Sequence, residues 1–227
     1  MKKLLSLAGL FISLTTLGQN CTGYYLMQNN KTVEMAVYDR KGDPLGKLVY
    51  TVSGLVTTDT GSSTHVTVEQ FNKRGKNTLT YHNVMQCKGG TFLMDFKYLT
   101  SKGEENQYEW AKRKGRTSYD YLEYPVQLSV GERLKDGKFH IDRNGNENEQ
   151  LIDMAITDRK VEGKESVTTP AGTWDCFRIS FKTKIVMEIR RMPNTINMDC
   201  EEWYAPGFGV VKTQAKGFGG TELTSIH

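Results

Sequence analysis

Four cysteines, four histidines and one cluster of carboxylates are the residues of this chain best equipped for chemistry. The cysteines are Cys21, Cys87, Cys176 and Cys200. No two lie within a few residues of each other, so they lack the paired spacing of a zinc site. Cys176 follows Asp175 with no histidine nearby in sequence, which leaves a thiol nucleophile without a base. An even count points instead to two disulfides in an oxidising compartment, with three pairings open. The expected pairs are Cys21–Cys87, tying the N-terminal segment to a strand, and Cys176–Cys200, joining neighbouring strands of a C-terminal sheet. His65 and His82 fall on polar strand faces, His140 follows a turn and His227 is terminal. None belongs to an HExxH or His-x-His pair, so no metal site is expected. Asp199, Glu201 and Glu202 crowd one segment, but adjacent strand residues point to opposite faces. They read as solvated carboxylates with charged partners. No G-x-S-x-G elbow, G-x-G-x-x-G fingerprint or P-loop occurs, and Gly217-Phe218-Gly219-Gly220 reads as a strand turn. The expectation is no catalytic residue and no cofactor.

The elements that would position these residues repeat with a period of two. Residues 77–87 place Leu79, Tyr81, Met85 and Cys87 on one face, with Thr78, Thr80 and His82 on the other. Phe177, Ile179 and Phe181 alternate with Arg178, Ser180 and Lys182. Further strands are expected near residues 33–38, 47–57, 64–71, 91–99, 198–204, 208–216 and 221–226. Residues 151–168 read as one long strand or a hairpin, with Gly163 as a bulge or turn. Turn signals stand at Arg40-Lys41-Gly42-Asp43-Pro44, Asn72-Lys73-Arg74-Gly75, Lys88-Gly89-Gly90 and, as a hairpin, Asp136-Gly137. Such spacing predicts an all-β fold: an antiparallel barrel or half-barrel, with one short helix at residues 104–114 of the charged stretch 100–118.

The first residues give an address. Lys2 and Lys3 precede an apolar run from Leu4 to Leu17, and Thr16-Leu17-Gly18 closes it with small residues suited to signal peptidase. The run is shorter than the roughly 20 residues that span a bilayer. Residues 1–18 therefore read as a signal peptide and residues 19–227 as a single barrel-like domain in the periplasm, the cell envelope or the medium. Gln19-Asn20 before Cys21 is too bulky for a lipobox, which argues against a lipid anchor there. Without Lys2 and Lys3 the formal charge falls from +4 to +2, so the pI of about 8.7 does not point to nucleic acid.

Three segments carry a resemblance. They are Tyr121-Leu122-Glu123-Tyr124-Pro125 through Glu132, Thr169-Pro170-Ala171-Gly172-Thr173-Trp174-Asp175-Cys176, and Glu202-Trp203-Tyr204-Ala205-Pro206-Gly207-Phe208-Gly209-Val210-Val211-Lys212. Together they resemble the TapB-like exported proteins, a family of bacterial envelope β-domains. The resemblance implies an exported antiparallel barrel or half-barrel and supplies no substrate. Trp174, Trp203, Tyr204, Pro206, Gly207 and Gly209 read as folding signals. Pro206-Gly207 favours a tight turn because proline presets φ and glycine accepts a positive one.

Aromatics (Trp174, Trp203, Tyr204, Phe208, Phe177, Phe181, Phe92, Phe96) and methionines (Met35, Met85, Met94, Met154) suffice either to fill a barrel or to line an apolar cavity. The leading expectation is a non-enzymatic envelope protein, not membrane-spanning, that binds a hydrophobic or amphipathic ligand or an envelope protein. The rivals are an assembly factor that binds a partner through a sheet edge and a secreted hydrolase with dispersed carboxylates.

Overall fold

Alternation with a period of two gives nearly every strand one apolar face, and one sheet buries that face by curling on itself. The computed structural model describes residues 21–95, 117–119, 121–143, 150–189 and 192–227. The expected leader and the expected helix at residues 104–114 lie outside the described residues. Thirteen strands are described: β1 (Thr32–Asp39), β2 (Pro44–Thr58), β3 (Gly61–Asn72), β4 (Asn77–Lys88), β5 (Thr91–Asp95), β6 (Thr117–Tyr119), β7 (Tyr121–Pro125), β8 (Gly137–Arg143), β9 (Gln150–Thr169), β10 (Gly172–Ile189), β11 (Met192–Ala205), β12 (Gly209–Ala215) and β13 (Gly219–Ile226). All pair antiparallel in one sheet, in the order β6-β8-β9-β10-β11-β12-β13-β1-β2-β3-β4-β5-β7. The two edge strands, β6 and β7, are separated in sequence by Asp120 alone. One stretch of chain thus carries both edges, and the sheet curls into a nearly closed all-β barrel.

Residues 126–136 seal the seam between β7 and β9. Gly131 and Leu134 donate their N–H groups to the carbonyls of Val161 and Arg159, and Val161 N–H returns a bond to Glu132. Leu128 and Leu134 are buried there. The expected hairpin at Asp136-Gly137 is not formed: the chain passes from the Arg133–Lys160 bridge into β8 and stays alongside β9 without reversing. Gly137 serves close packing instead, since a Cβ there would stand 2.8 Å from Leu122 Cδ2.

The register fixes which hairpins share an end. The β1–β2, β3–β4, β12–β13 and β10–β11 connections lie at one end of the barrel. The β2–β3, β4–β5, β9–β10 and β11–β12 connections lie at the other. This second end is plugged by the N-terminal segment, which forms two 3-10 turns, Cys21–Gly23 and Tyr25–Met27. Cys21, Tyr24, Leu26 and Met27 are buried in it. Asn30 N–H bonds Val52 O, Val52 N–H bonds Lys31 O, and Thr64 Oγ1 donates to Leu26 O.

The Cys21–Cys87 disulfide tethers this plug to the end of β4, as expected from sequence. Its sulfur is committed there, which is incompatible with a thioether-linked lipid at Cys21. The Cys176–Cys200 bridge is not formed; both thiols are free and buried. The strands are neighbours, β10 and β11, but the register is wrong. Cys200 pairs with Phe181, five residues along β10 from Cys176. At about 3.3 Å per residue the two sit roughly 17 Å apart along the strand, far beyond the ~7 Å limit for a bridge. Burial and the nearby Asp175 and Glu165 push the Cys176 thiol up to about 11, so it stays protonated.

Two thiols are therefore expected when non-reduced, unfolded protein is titrated with a thiol reagent; a count of zero would restore the second bridge. Cys87→Ser should lower the unfolding free energy by about 2–4 kcal/mol in a denaturant titration.

Candidate functional site

The sequence motif around Trp203 folds into the latch of the plug. The β11–β12 turn is closed by the Phe208 N–H to Ala205 O bond, with Gly207 and Gly209 at φ 79° and 128°. Only glycine takes these values without strain. The turn offers Gly207 O to the N–H of Tyr25, and Phe208 packs between Tyr25 and Trp174, with ring centroids 5.4 and 4.5 Å away. Tyr204 points inward and its hydroxyl donates to Tyr24 Oη at 2.8 Å. Tyr24 in turn stacks on Phe92 at 4.9 Å. Trp203, the next residue, points outward, where its indole N–H donates to Glu165 Oε1 and Lys212 lies over its ring. Trp203 is thus no part of the barrel filling expected from sequence.

Above the plug lies a buried polar cluster. Arg159 is wholly buried, and Glu202 is 5% exposed. Arg159 reaches the interior because β9 bulges at this point. Asp158 adopts φ 58°, and the β9–β10 register shifts between Ser180 and Lys182. The extra residue turns Asp158 outward to Lys182 (2.9 Å) and Arg159 inward, as bulges re-aim side chains. Gly163 marks a second register shift, as the sequence suggested. The guanidinium lies 4.7 Å from the Tyr124 ring, and its Nη2 is 3.5 Å from Glu202 Oε1. Nη1 donates to Glu123 O and Lys135 O, which stitches β7 to the sealing segment. Tyr124 donates to both Glu202 oxygens at 3.0 Å and stacks on Tyr204 at 4.6 Å. Burial raises the Glu202 pKa above the ordinary 4.5, outweighing the opposing pull of Arg159 and Tyr124. Burial and the Glu202 charge hold the Tyr124 phenol well above its usual value. This is a correction to the sequence reading, which placed Glu202 with the solvated carboxylates.

The other carboxylates face outward. Glu201 accepts from Arg178 at 2.5 Å. Asp199 and Glu201 help line an open groove of about 500 Å³ with Asp158, Lys182 and Lys216. Among the described residues no group of three or more His, Cys, Asp or Glu side chains is arranged to hold a metal. His140 pairs with Asp153 at 2.5 Å, and His82 Nδ1 is 3.1 Å from Thr67 Oγ1. The outer wall carries ion pairs across its strands, Arg178–Glu201, Lys212–Glu222 and Glu34–Lys47, and one along β9, Lys160–Glu162. A membrane-spanning barrel presents an apolar band in that place. Among the described residues no helix is long and apolar enough to cross a membrane.

The end opposite the plug is asymmetric. β12 stops at Ala215, opposite Cys200, and β1, β2 and β13 reach their tips at the same level. β9, β10 and β11 continue past it. On the core-facing side, this extension carries the cross-strand row Phe139–Met154–Ile185–Ile196 and, beside it, Ile156–Thr183–Met198. Phe139, Met154, Ile156 and Thr183 are buried, whereas Ile185, Ile196 and Met198 are half-buried. Among the described residues, the apolar interior therefore runs out beyond the shorter wall as an apolar apron. Sequence reasoning missed it because alternation names the apolar face but not which strands outlast their partners.

Arg159→Met should cost about 3–5 kcal/mol by leaving Glu202 buried without its partner, and adding Glu202→Gln should restore part of it. Because the folded-state pKa of Glu202 is raised, the native protein binds its proton more tightly than the unfolded chain does. Stability should therefore fall as pH rises above about 4.5. Denaturant titrations at several pH values should show that slope in the natural protein, reduced in Glu202→Gln.

The same architecture occurs in solved structures. A candidate exported protein of YmcC-like fold from Bacteroides fragilis aligns with a TM-score of 0.67 at 21% identity, covering 88% of this chain and 96% of that one. A candidate lipoprotein from Parabacteroides distasonis aligns with a TM-score of 0.67 at 21% identity, covering 90% and 99%. Comparison with curated proteins gave no match. A family profile described as DUF3108-like matches residues 28–219, from the end of the plug to the start of β13, and the chain belongs to the DUF3108-like family.

Proposed function

We propose that this is an exported envelope protein, without catalytic activity, that takes a hydrophobic or amphipathic ligand into the open end of its barrel. The carrying observation is the apron: Met154, Ile185, Ile196 and Met198 extend the core face past the end of the opposite wall, while the other end is plugged. The methionines suit an apolar ligand of variable shape, because their side chains are unbranched and the thioether is polarisable. Export is supported by the leader-like first residues, by the Cys21–Cys87 bridge and by structural relatives described as a candidate exported protein and a candidate lipoprotein. A narrower kinship with the TapB-like exported proteins belongs to the same reading. Recognition through a free sheet edge is less well supported, since β6 and β7 form one nearly continuous segment and residues 126–136 cover the seam.

The test is native mass spectrometry of protein purified without detergent from its own cells. A lipid-sized adduct is expected, and it should fall at least several-fold in Ile185→Asp, whose charge would sit in the apron. A bare mass that persists after envelope lipids are added back would overturn the reading.

A further inference from the structure

The two ends of the barrel differ in charge as well as in closure. The tip of β1–β2 exposes Arg40 and Lys41, the tip of β3–β4 exposes Lys73, Arg74 and Lys76, and the tip of β12–β13 exposes Lys216. These three hairpins are neighbours, because β12, β13, β1, β2, β3 and β4 are consecutive in the sheet. At about 4.8 Å between strands, adjacent tips lie roughly 10 Å apart. Asp39 and Asp43 share the first tip, and Asp199 lies beside Lys216. One Asp39 oxygen is already engaged by the N–H groups of Lys41 and Asp43. Six cations (Arg40, Lys41, Lys73, Arg74, Lys76 and Lys216) against these three carboxylates leave the tips with an excess of positive charge. The plugged end differs: among its β2–β3, β4–β5, β9–β10 and β11–β12 connections the one charged side chain is Asp59, with Lys88 at the end of β4.

The cationic rim also exposes apolar side chains. Phe218, 51% exposed, sits on the β12–β13 tip. Leu45, 50% exposed, is the extra residue of a bulge, since Val37 pairs with Gly46 and Tyr38 with Pro44. The two flank the end of β1. Met192, 70% exposed, stands apart from them at the far tip of the β9–β11 extension, eight residues (roughly 26 Å) beyond the level of the rim.

From this we propose that the cationic rim docks the barrel onto an anionic lipid bilayer, tilted so that the rim and the longer β9–β11 extension both meet the surface. Lysines and arginines meet lipid phosphates while Phe218 and Leu45 enter the interface. The combination is that of a peripheral membrane contact: each basic residue adds electrostatic attraction, and a few apolar side chains add burial that salt does not screen. The same geometry brings the apron's mouth to the surface from which an amphipathic ligand would be drawn. The docking itself stands on the rim alone and goes beyond the ligand reading.

The test is flotation of the purified protein with vesicles of phosphatidylcholine, with and without phosphatidylglycerol. Binding is expected only to the anionic vesicles and should weaken as salt shortens the screening length to below about 8 Å. Lys73→Glu/Arg74→Glu should reduce it on the order of tenfold or more. Phe218→Ser should reduce it several-fold, with thermal melting confirming that both variants fold. Ile185→Asp should still float with the vesicles, so loss of the ligand and loss of docking are read separately. No binding to anionic vesicles, binding unchanged in the rim variants, or retention on a soluble polyanion without vesicle binding would each overturn the proposal.

Discussion

The structure depends on filling a sheet that is too wide to fill itself. A small barrel packs shut with its own side chains, but a larger one leaves space. Here the chain closes one end with its own N-terminal segment. Tyr24, Leu26 and Met27 enter the barrel, Cys21 is bolted to β4, and the β11–β12 turn grips Tyr25 through Gly207 and Phe208. The Trp-Tyr-Ala-Pro-Gly-Phe-Gly run is therefore explained by local packing. Its proline and glycines shape a turn whose outward carbonyl and aromatic ring meet the plug. The Tyr204–Tyr24 hydrogen bond carries the same attachment into the core.

The second constraint is the seam. A curled sheet whose edges are β6 and β7 must satisfy the backbone groups between them. Arg159 does this from inside, donating to Glu123 O and Lys135 O while Glu202 balances its charge. Burying an ion pair is rarely a net gain in stability, so its value here is geometric: it ties β7, β9, β11 and the sealing segment to one register. The β9 bulge at Asp158 is the backbone device that makes this possible. It spends one residue of the ladder to turn a guanidinium inward.

Much of the fold was legible in the alternation of Leu79, Tyr81 and Met85 or of Phe177, Ile179 and Phe181, because a period of two reports the local face directly. The Cys21–Cys87 pair followed from the need to anchor a loose terminus. The Cys176–Cys200 pair failed because neighbouring strands were foreseen but their register was not. Register is set by turns and bulges spread along both strands. Glu202 was misplaced for a related reason: its partner Arg159 lies on β9, and a non-glycine bulge at Asp158 carries no sequence signal. The apron was invisible because it arises from unequal strand lengths. The cationic rim was visible residue by residue, as turn residues, but only the strand order brings its three tips together.

The central claim is that the apolar end opposite the plug is where a ligand enters. Methyl-labelled isoleucine and methionine spectra, recorded while a lipid is titrated in, test it most directly. The account predicts shifts at Ile185, Ile196, Met154 and Met198, with Met27 and Met35 in the sealed core unchanged. Shifts centred on Met27, or none at saturating lipid, would contradict it.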